Sequence, residues 1–296
     1  MREPIQNRYE FVYYFDVTNG NPNGDPDAGN MPRMDNQTGN GLVTDVCLKR
    51  KIRNYVELAR MGMPDDKAKR YDIYVTEGAI LNDKQQIAYE ELELGDGKKA
   101  KGDARDKARD YIAARYFDVR TFGAVMDTGD FKCGQVRGPV QFTFSRSIDP
   151  IFEQDITITR MAATKADETK DANRTMGRKS IVPYGLYRLE GYISPFFAQK
   201  TGFSEEDLAL VWEALLNMFE HDHSAARGKM TARKLIVFKH ATLLGNAQSQ
   251  MLFDLVTARQ ADGTQQERRP PRQFADYEIR FDPAACPADV EPLVML

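Results

Sequence analysis

Cysteine is scarce in this 296-residue chain, and Cys47, Cys133 and Cys286 are odd in number and far apart. That excludes a disulfide framework and a Cys-x-x-Cys metal knuckle, and it fits a reducing cytosol. Histidine is equally sparse, at His221, His223 and His240. The pair in His221-Asp222-His223 lacks an evident third ligand, which makes a weak zinc site. No apolar run of about 18 residues occurs, and the opening MREPIQNRYE has no apolar signal region. The expectation is a soluble, cytoplasmic protein without a membrane partner. The P-loop, the GxSxG nucleophile elbow and the HExxH zinc motif are all missing. DPDAGNMPRMDN resembles a calcium loop only superficially: Gly29 and Asn30 fall where a loop residue and the turn glycine belong, and the terminal Glu is lacking. No cofactor and no metal are expected.

What is present is an ordinary globular composition, 42% hydrophobic and 29% charged, too apolar for wholesale disorder. The length allows one elaborated domain or two ordinary ones, and the reading is a single elaborated domain over 1–296. A net charge of −3 argues against coating nucleic acid with the whole surface. It leaves room for one basic track, because a partner feels local potential.

RYEFVYYFDV (8–17) is aromatic and β-branched and reads as a strand buried on both faces. The Gly- and Asn-rich stretch 19–41 reads as a long loop of consecutive turns. Loops of this length are functional or disordered. Residues 44–62 form a helix capped by Thr44, with Leu48, Ile52, Tyr55, Val56 and Ala59 as its apolar stripe. Lys49, Arg50 and Arg53 lie on another face, which by itself is a solvated face. YDIYVTEGAI (71–80) reads as a strand, and the charged stretch 82–110 as a peripheral, partly mobile insertion. A helix follows through KARDYIAARY into DVRTFGAVM. GPVQFTFSRSI (138–148) and DITITRMA (155–162) alternate as half-solvated strands, and YGLYRLEGYIS (184–194) is the returning strand. Ser204-x-x-Asp207 opens a second helix with a capping box. Residues 232–244 and 277–281 are further strands. The order predicts a split β-α-β arrangement: an α+β fold whose antiparallel sheet carries two helices on one face and leaves the other face free.

Basic residues concentrate in three stretches. Residues 44–60 hold five basic and two acidic side chains, 159–179 hold six and three, and 224–240 hold five with no acid. Taken singly, such runs are solvated faces; together they suit a phosphate backbone. The excursion 159–183 reads as a projecting arm. Its Lys and Arg can pair with phosphates, and Met161 or Met176 serves either as an apolar wedge between bases or as a cap on the core beneath the arm. Asp25, Asp27 and Asp35 are either turn residues or carboxylates for metal-assisted phosphodiester cleavage.

NGNPNGDP, TDVCLKRKIRNYV, DVRTFGAVM, GPVQFTFSRSIDPI and the block YGLYRLEGYISPFFAQKTGFSEEDLALVWEALLNMFEHDHSAARGKM together resemble one family. It is the major backbone subunit of CRISPR-associated surveillance complexes (Cascade), in particular the type I-C version, and the resemblance covers roughly residues 8–245. It implies a modified RNA-recognition (ferredoxin-like) palm with helices on one face, finger-like insertions (loop 19–41, insertion 82–110) and a thumb β-hairpin at about 155–185. It further implies a non-catalytic subunit, copies of which polymerise along guide (cr)RNA with other Cascade subunits and present it to target DNA. By position, Lys49, Arg50, Arg53, Asn21, Asn23, Gly24, Gln141 and Arg146 are then RNA contacts, with Arg160, Met161, Lys165, Arg174, Met176, Arg178 and Lys179 on the thumb. The competing readings are an RNA-processing endonuclease of the same superfold, disfavoured by the poverty in His, and a plain protein-interaction scaffold.

Overall fold

The computed structural model describes residues 3–99, 102–159, 176–262 and 269–296. In chain order its elements are β1 (Tyr9–Gly20), β2 (Gly24–Asp25), β3 (Met31–Pro32), β4 (Asn40–Val43), α1 (Asp45–Met61), α2 (Asp65–Ala68), α3 (Leu81–Glu91), α4 (Asp103–Arg115) and α5 (Phe117–Phe122). Then come β5 (Gly123–Met126), β6 (Gly134–Arg137), β7 (Val140–Phe142), β8 (Ser145–Pro150), β9 (Gln154–Thr159) and β10 (Met176–Ile193). The chain ends through α6 (Pro195–Thr201), α7 (Glu205–Asn217), β11 (Lys229–His240), α8 (Ser249–Asp254), β12 (Val256–Gln260), β13 (Tyr277–Phe281) and β14 (Val290–Val294). No helix among the described residues is long and apolar enough to cross a membrane.

The main sheet runs β14-β11-β1-β10-β8-β4, antiparallel throughout. Within it, β1–α1–β8–β10–α7–β11 gives the spatial order β11-β1-β10-β8. That is the split β-α-β topology expected of a ferredoxin-like palm. Alternate residues of β1 face opposite sides: Phe11, Tyr13, Phe15 and Val17 pack with α1 and α7, whereas Val12 and Tyr14 face away.

α1 follows its sequence signals. Leu48, Ile52 and Val56 are fully buried, each contributing about 1.5–3 kcal/mol through apolar burial. The Thr44 hydroxyl accepts from the Cys47 backbone N–H at 3.3 Å. Thr44→Ala is expected to cost about 1 kcal/mol, the usual worth of such a cap. An unchanged urea midpoint would remove the cap from the account. α7 opens with the anticipated capping box, Ser204 and Asp207 exchanging hydrogen bonds.

Four sequence expectations need correction. The second sheet face is not free. Val12, Tyr14, Leu186, Ile236 and Phe238 are buried there against Leu252, Phe253, Val256 and Tyr277 of α8 and the β12–β13 hairpin. Residues 71–80 form no strand. The Tyr74 and Val75 N–H groups are taken by the Asp118 carboxylate at 2.7 and 3.0 Å instead of a ladder. The stretch 82–110 contains α3 and α4, whose Ala88, Tyr89, Ala108 and Ile112 join a separate apolar cluster with Val119, Met126 and Cys133. Residues 138–148 split into β7 and β8, which pair with different parts of β10.

β9 pairs with the first part of β10, from Thr159↔Met176 to Gln154↔Ile181. Every β9 residue is exposed, Ile156 and Ile158 included. The segment between these strands, with Arg160, Met161, Lys165 and Arg174, lies outside the described residues.

Candidate nucleic-acid interface

The loop after β1 is shaped by close backbone approach. A Cβ on Gly20 would stand 1.9 Å from the Arg227 carbonyl oxygen, so only glycine lets the 224–228 turn lie against β1. Asn21 N–H then donates to the Ala226 carbonyl at 2.8 Å. At Gly24 a Cβ would meet the Asn30 side-chain oxygen at 1.9 Å, so a larger residue there has to displace that side chain. Asn23 ties the loop to α1, its Oδ1 accepting from the Thr44 N–H and hydroxyl at 2.9 and 3.0 Å.

These contacts open a cleft of about 900 Å³ between the loop, the first turns of α1 and the 224–227 turn. Its basic side chains are Arg33, Arg50, Lys51 and Arg227, and Val46 and Phe144 add apolar surface. A second cleft, of about 310 Å³, runs from the loop to Arg178 and Lys179 at the β9–β10 ribbon. Both clefts include Asn21, Asn30 and Ala226, so they form one groove from α1 to the ribbon.

The cations are not equivalent. Lys51 is buried and bonded to Asp222, which also pairs with Arg227. Arg33 reaches Asp25 at 3.4 Å. Arg50 donates to the Val75 carbonyl at 2.6 Å. Among the described residues Arg50, Arg178 and Lys179 have no ion-pair partner; against them stands Asp155, which lines the same cleft and accepts from the Ser180 hydroxyl, so the groove's unpaired charge is net positive. Asn21 donates to the Asn30 carbonyl at 2.7 Å while its own buried Oδ1 has no partner. Burial pushes the Cys47 thiol above its ordinary pKa, which leaves it a protonated lining group.

Of the sequence candidates, Asn21, Asn23, Gly24, Arg50, Arg178 and Lys179 come together here. Lys49 and Arg53 do not, and neither sits on a solvated face. Lys49 bonds Asp45 at 2.9 Å and the Gln141 Oε1 at 3.2 Å. The Arg53 Nε donates to the buried Asp118 at 2.8 Å, and the guanidinium lies over the Phe122 ring. Gln141 spends its amide on the Phe122 and Gly138 carbonyls. Arg146, half exposed, pairs with Asp35 at 2.7 Å. Met176 belongs to β10, and its side chain lies outside what is described.

Sequence reasoning singled out neither Phe144, Arg33 nor the organising role of Asp222. The alternation Val140, Phe142, Phe144 suggested one buried face, yet Phe144 is 57% exposed because the strand breaks there. Asp222 stood out only as a neighbour of two histidines. Among the described residues no cluster of His, Cys, Asp and Glu could hold a metal.

Comparison with known proteins gives a family match: the profile described as CRISPR-associated protein Cas7 matches residues 7–282. A curated relative, CRISPR-associated protein Cas7 of Haloferax volcanii, is 29% identical over 235 residues, covering 71% of this chain and 65% of the relative. The match therefore spans less than two thirds of that relative's length. Among solved structures, a chain of a CRISPR RNA-guided surveillance complex, pre-nicking, has 14% identity and a TM-score of 0.49, with 78% of each chain covered. A chain of another CRISPR RNA-guided surveillance complex has 14% identity and a TM-score of 0.46, with 78% of this chain and 68% of that one covered.

Proposed function

The chain belongs to the CRISPR-associated protein Cas7 family, and from that premise we propose that it is a non-catalytic backbone subunit of a type I-C surveillance complex. In this reading copies line up along the guide (cr)RNA spacer beside other Cascade subunits and present it for pairing with target DNA. The observation that carries the reading is the groove joining Asn21, Asn23, Gly24 and Arg50 to Arg178 and Lys179. Its uncompensated cations suit a phosphate thread, and Val46 and Phe144 offer apolar surface to a ribose or base.

Residues 155–185 act as the thumb, with Arg160, Lys165 and Arg174 adding phosphate contacts and Met161 or Met176 as the wedge. Lys49, Arg53, Gln141 and Arg146 support the groove through their internal bonds rather than by direct phosphate contact. Absence of cleavage is favoured by how two of the three loop acids, Asp25 and Asp35, are engaged. Asp25 accepts from the Asp27 N–H and pairs with Arg33. Asp35 accepts from the Gln37 N–H and pairs with Arg146, and these partners hold its carboxyl below the usual range.

The protein purified under low salt is expected to carry RNA, with a 260/280 nm absorbance ratio well above that of protein and a particle mass several times the 33.6 kDa chain. Ribonuclease should disperse the particle, and RNA affinity should fall steeply with salt. An RNA-free monomer whose affinity for single-stranded RNA ignores salt would defeat the proposal.

A further inference from the structure

A second groove lies where α4, β6 and α6 meet. It has a volume of about 520 Å³, and its lining includes Arg109, Asp110, Arg137, Phe197, Lys200 and Thr201. None of these residues lines the groove from α1 to the ribbon. Gln135, Val136 and Arg137 also line an adjoining cleft of about 600 Å³ beside Phe122–Val125. The two clefts thus form one open track along the β5–β6 hairpin, with Arg137 at the junction.

The charges in this track are unevenly spent. Arg109 is neutralised by Asp106 at 2.7 Å and Asp110 at 2.9 Å. Arg137 and Lys200 are exposed, and among the described residues neither side chain has an ion pair or a hydrogen bond. The Arg137 guanidinium lies 4.4 Å above the centre of the Phe197 ring. This cation–π contact tethers the guanidinium at the groove wall, while its N–H groups stay unbonded and able to fork onto a phosphate. The joined clefts, of about 520 and 600 Å³, have room for more than a single phosphate group, and two unpaired cations in one open track suit successive phosphates of a strand.

We propose that this track holds the phosphate backbone of a second nucleic-acid strand, with Arg137 taking one phosphate through its fork and Lys200 a neighbouring one. The inference does not depend on what fills the first groove, because the two share no residue.

The test uses the full-length protein with whatever RNA it carries, and a fluorescein-labelled 20-nucleotide oligothymidylate read by anisotropy at several salt concentrations. Combined Arg137→Gln and Lys200→Gln substitution is expected to weaken binding about tenfold or more and to lower the log–log salt slope by about 1.4, two single-strand phosphate contacts. Arg137→Lys alone should keep the slope but lose affinity, since charge survives and the fork does not. Both side chains are exposed, so melting and the 260/280 nm ratio should not change. Unchanged affinity and slope in the double variant would overturn the proposal. So would thymidine 5′-monophosphate binding as tightly as the oligomer, or polyglutamate competing equally well. If the protein carries no RNA, the guide-RNA reading fails, and the oligothymidylate comparison is then made in an Arg50→Ala, Arg178→Ala, Lys179→Ala background, where only the track along the β5–β6 hairpin is left to take the oligomer.

Discussion

Alanine at Arg120 is expected to destabilise the fold by about 3–5 kcal/mol, the cost of breaking a buried ion pair by removing one partner. Arg120 and Asp207 are both fully buried. The guanidinium donates to Asp207 through two nitrogens, at 3.1 and 2.8 Å, and to the carbonyls of Ala113, Ala114 and Arg70 at 3.0–3.1 Å. One side chain therefore fastens α4, α5 and residues 69–71 to the start of α7. Its loss leaves three carbonyls without their donor and the buried Asp207 with Arg70 and Ser204 as its remaining partners. Chemical denaturation should show a large fall in midpoint; a loss under about 1 kcal/mol would mean the site relaxes and rehydrates freely.

The pH dependence of this effect has a definite sign. Burial alone would raise the Asp207 pKa, but Arg120, Arg70 and the Ser204 N–H outweigh it and hold the carboxyl below its ordinary value. Burial also lowers the Arg120 pKa, yet a guanidinium stays protonated wherever the protein folds, so Asp207 is the group that titrates. A depressed native pKa contributes stability above the unfolded value of about 3.9 and loses it as pH falls through the native value. In Arg120→Ala the carboxylate keeps its burial and loses its main cation. The gap between variant and wild type should therefore narrow as pH is lowered from neutrality towards 3–4.

Replacing Arg50, Arg178 and Lys179 together with alanine is expected to weaken binding of single-stranded RNA by about three orders of magnitude, tenfold for each charged hydrogen bond lost. The log–log salt slope should fall by about 2, roughly 0.7 per single-strand phosphate contact. Stability should fall only by about 1 kcal/mol, the worth of the Arg50 bond to the Val75 carbonyl, since none of the three has an ion-pair partner among the described residues and Arg178 is exposed. Lys49→Ala with Arg53→Ala should do the reverse. Removing Arg53 leaves the buried Asp118 carboxylate without its cation, so stability drops first and RNA binding follows only as folding fails. If the two sets of variants behave alike, the division between groove cations and structural cations is wrong.

That division could not be seen in the chain order. Lys49, Arg50, Lys51 and Arg53 share one helix and similar spacing, but their fates depend on which acids distant segments bring to them. Asp222 reaches Lys51 from the turn after α7, and Asp118 reaches Arg53 from α5. Strand 71–80 failed for a related reason: aromatic and β-branched residues were buried as expected, yet a carboxylate 43–44 residues away took the backbone donors. The supposedly free sheet face conflicted with the sequence itself, because β1 already read as apolar on both faces.

Local physical chemistry fixed the elements whose information is contained within a few residues. The double-sided apolar run of β1, the stripe and Thr44 cap of α1, the Ser204–Asp207 box of α7 and the short strand β13 all follow from spacing and side-chain chemistry alone. Tertiary structure alone decided which cations keep their charge for a ligand, what covers the second face of the sheet, and that Asn21, Arg50 and Lys179 border one groove. These outcomes depend on pairings between segments far apart in the chain, and no periodicity within one segment encodes the partner it will meet.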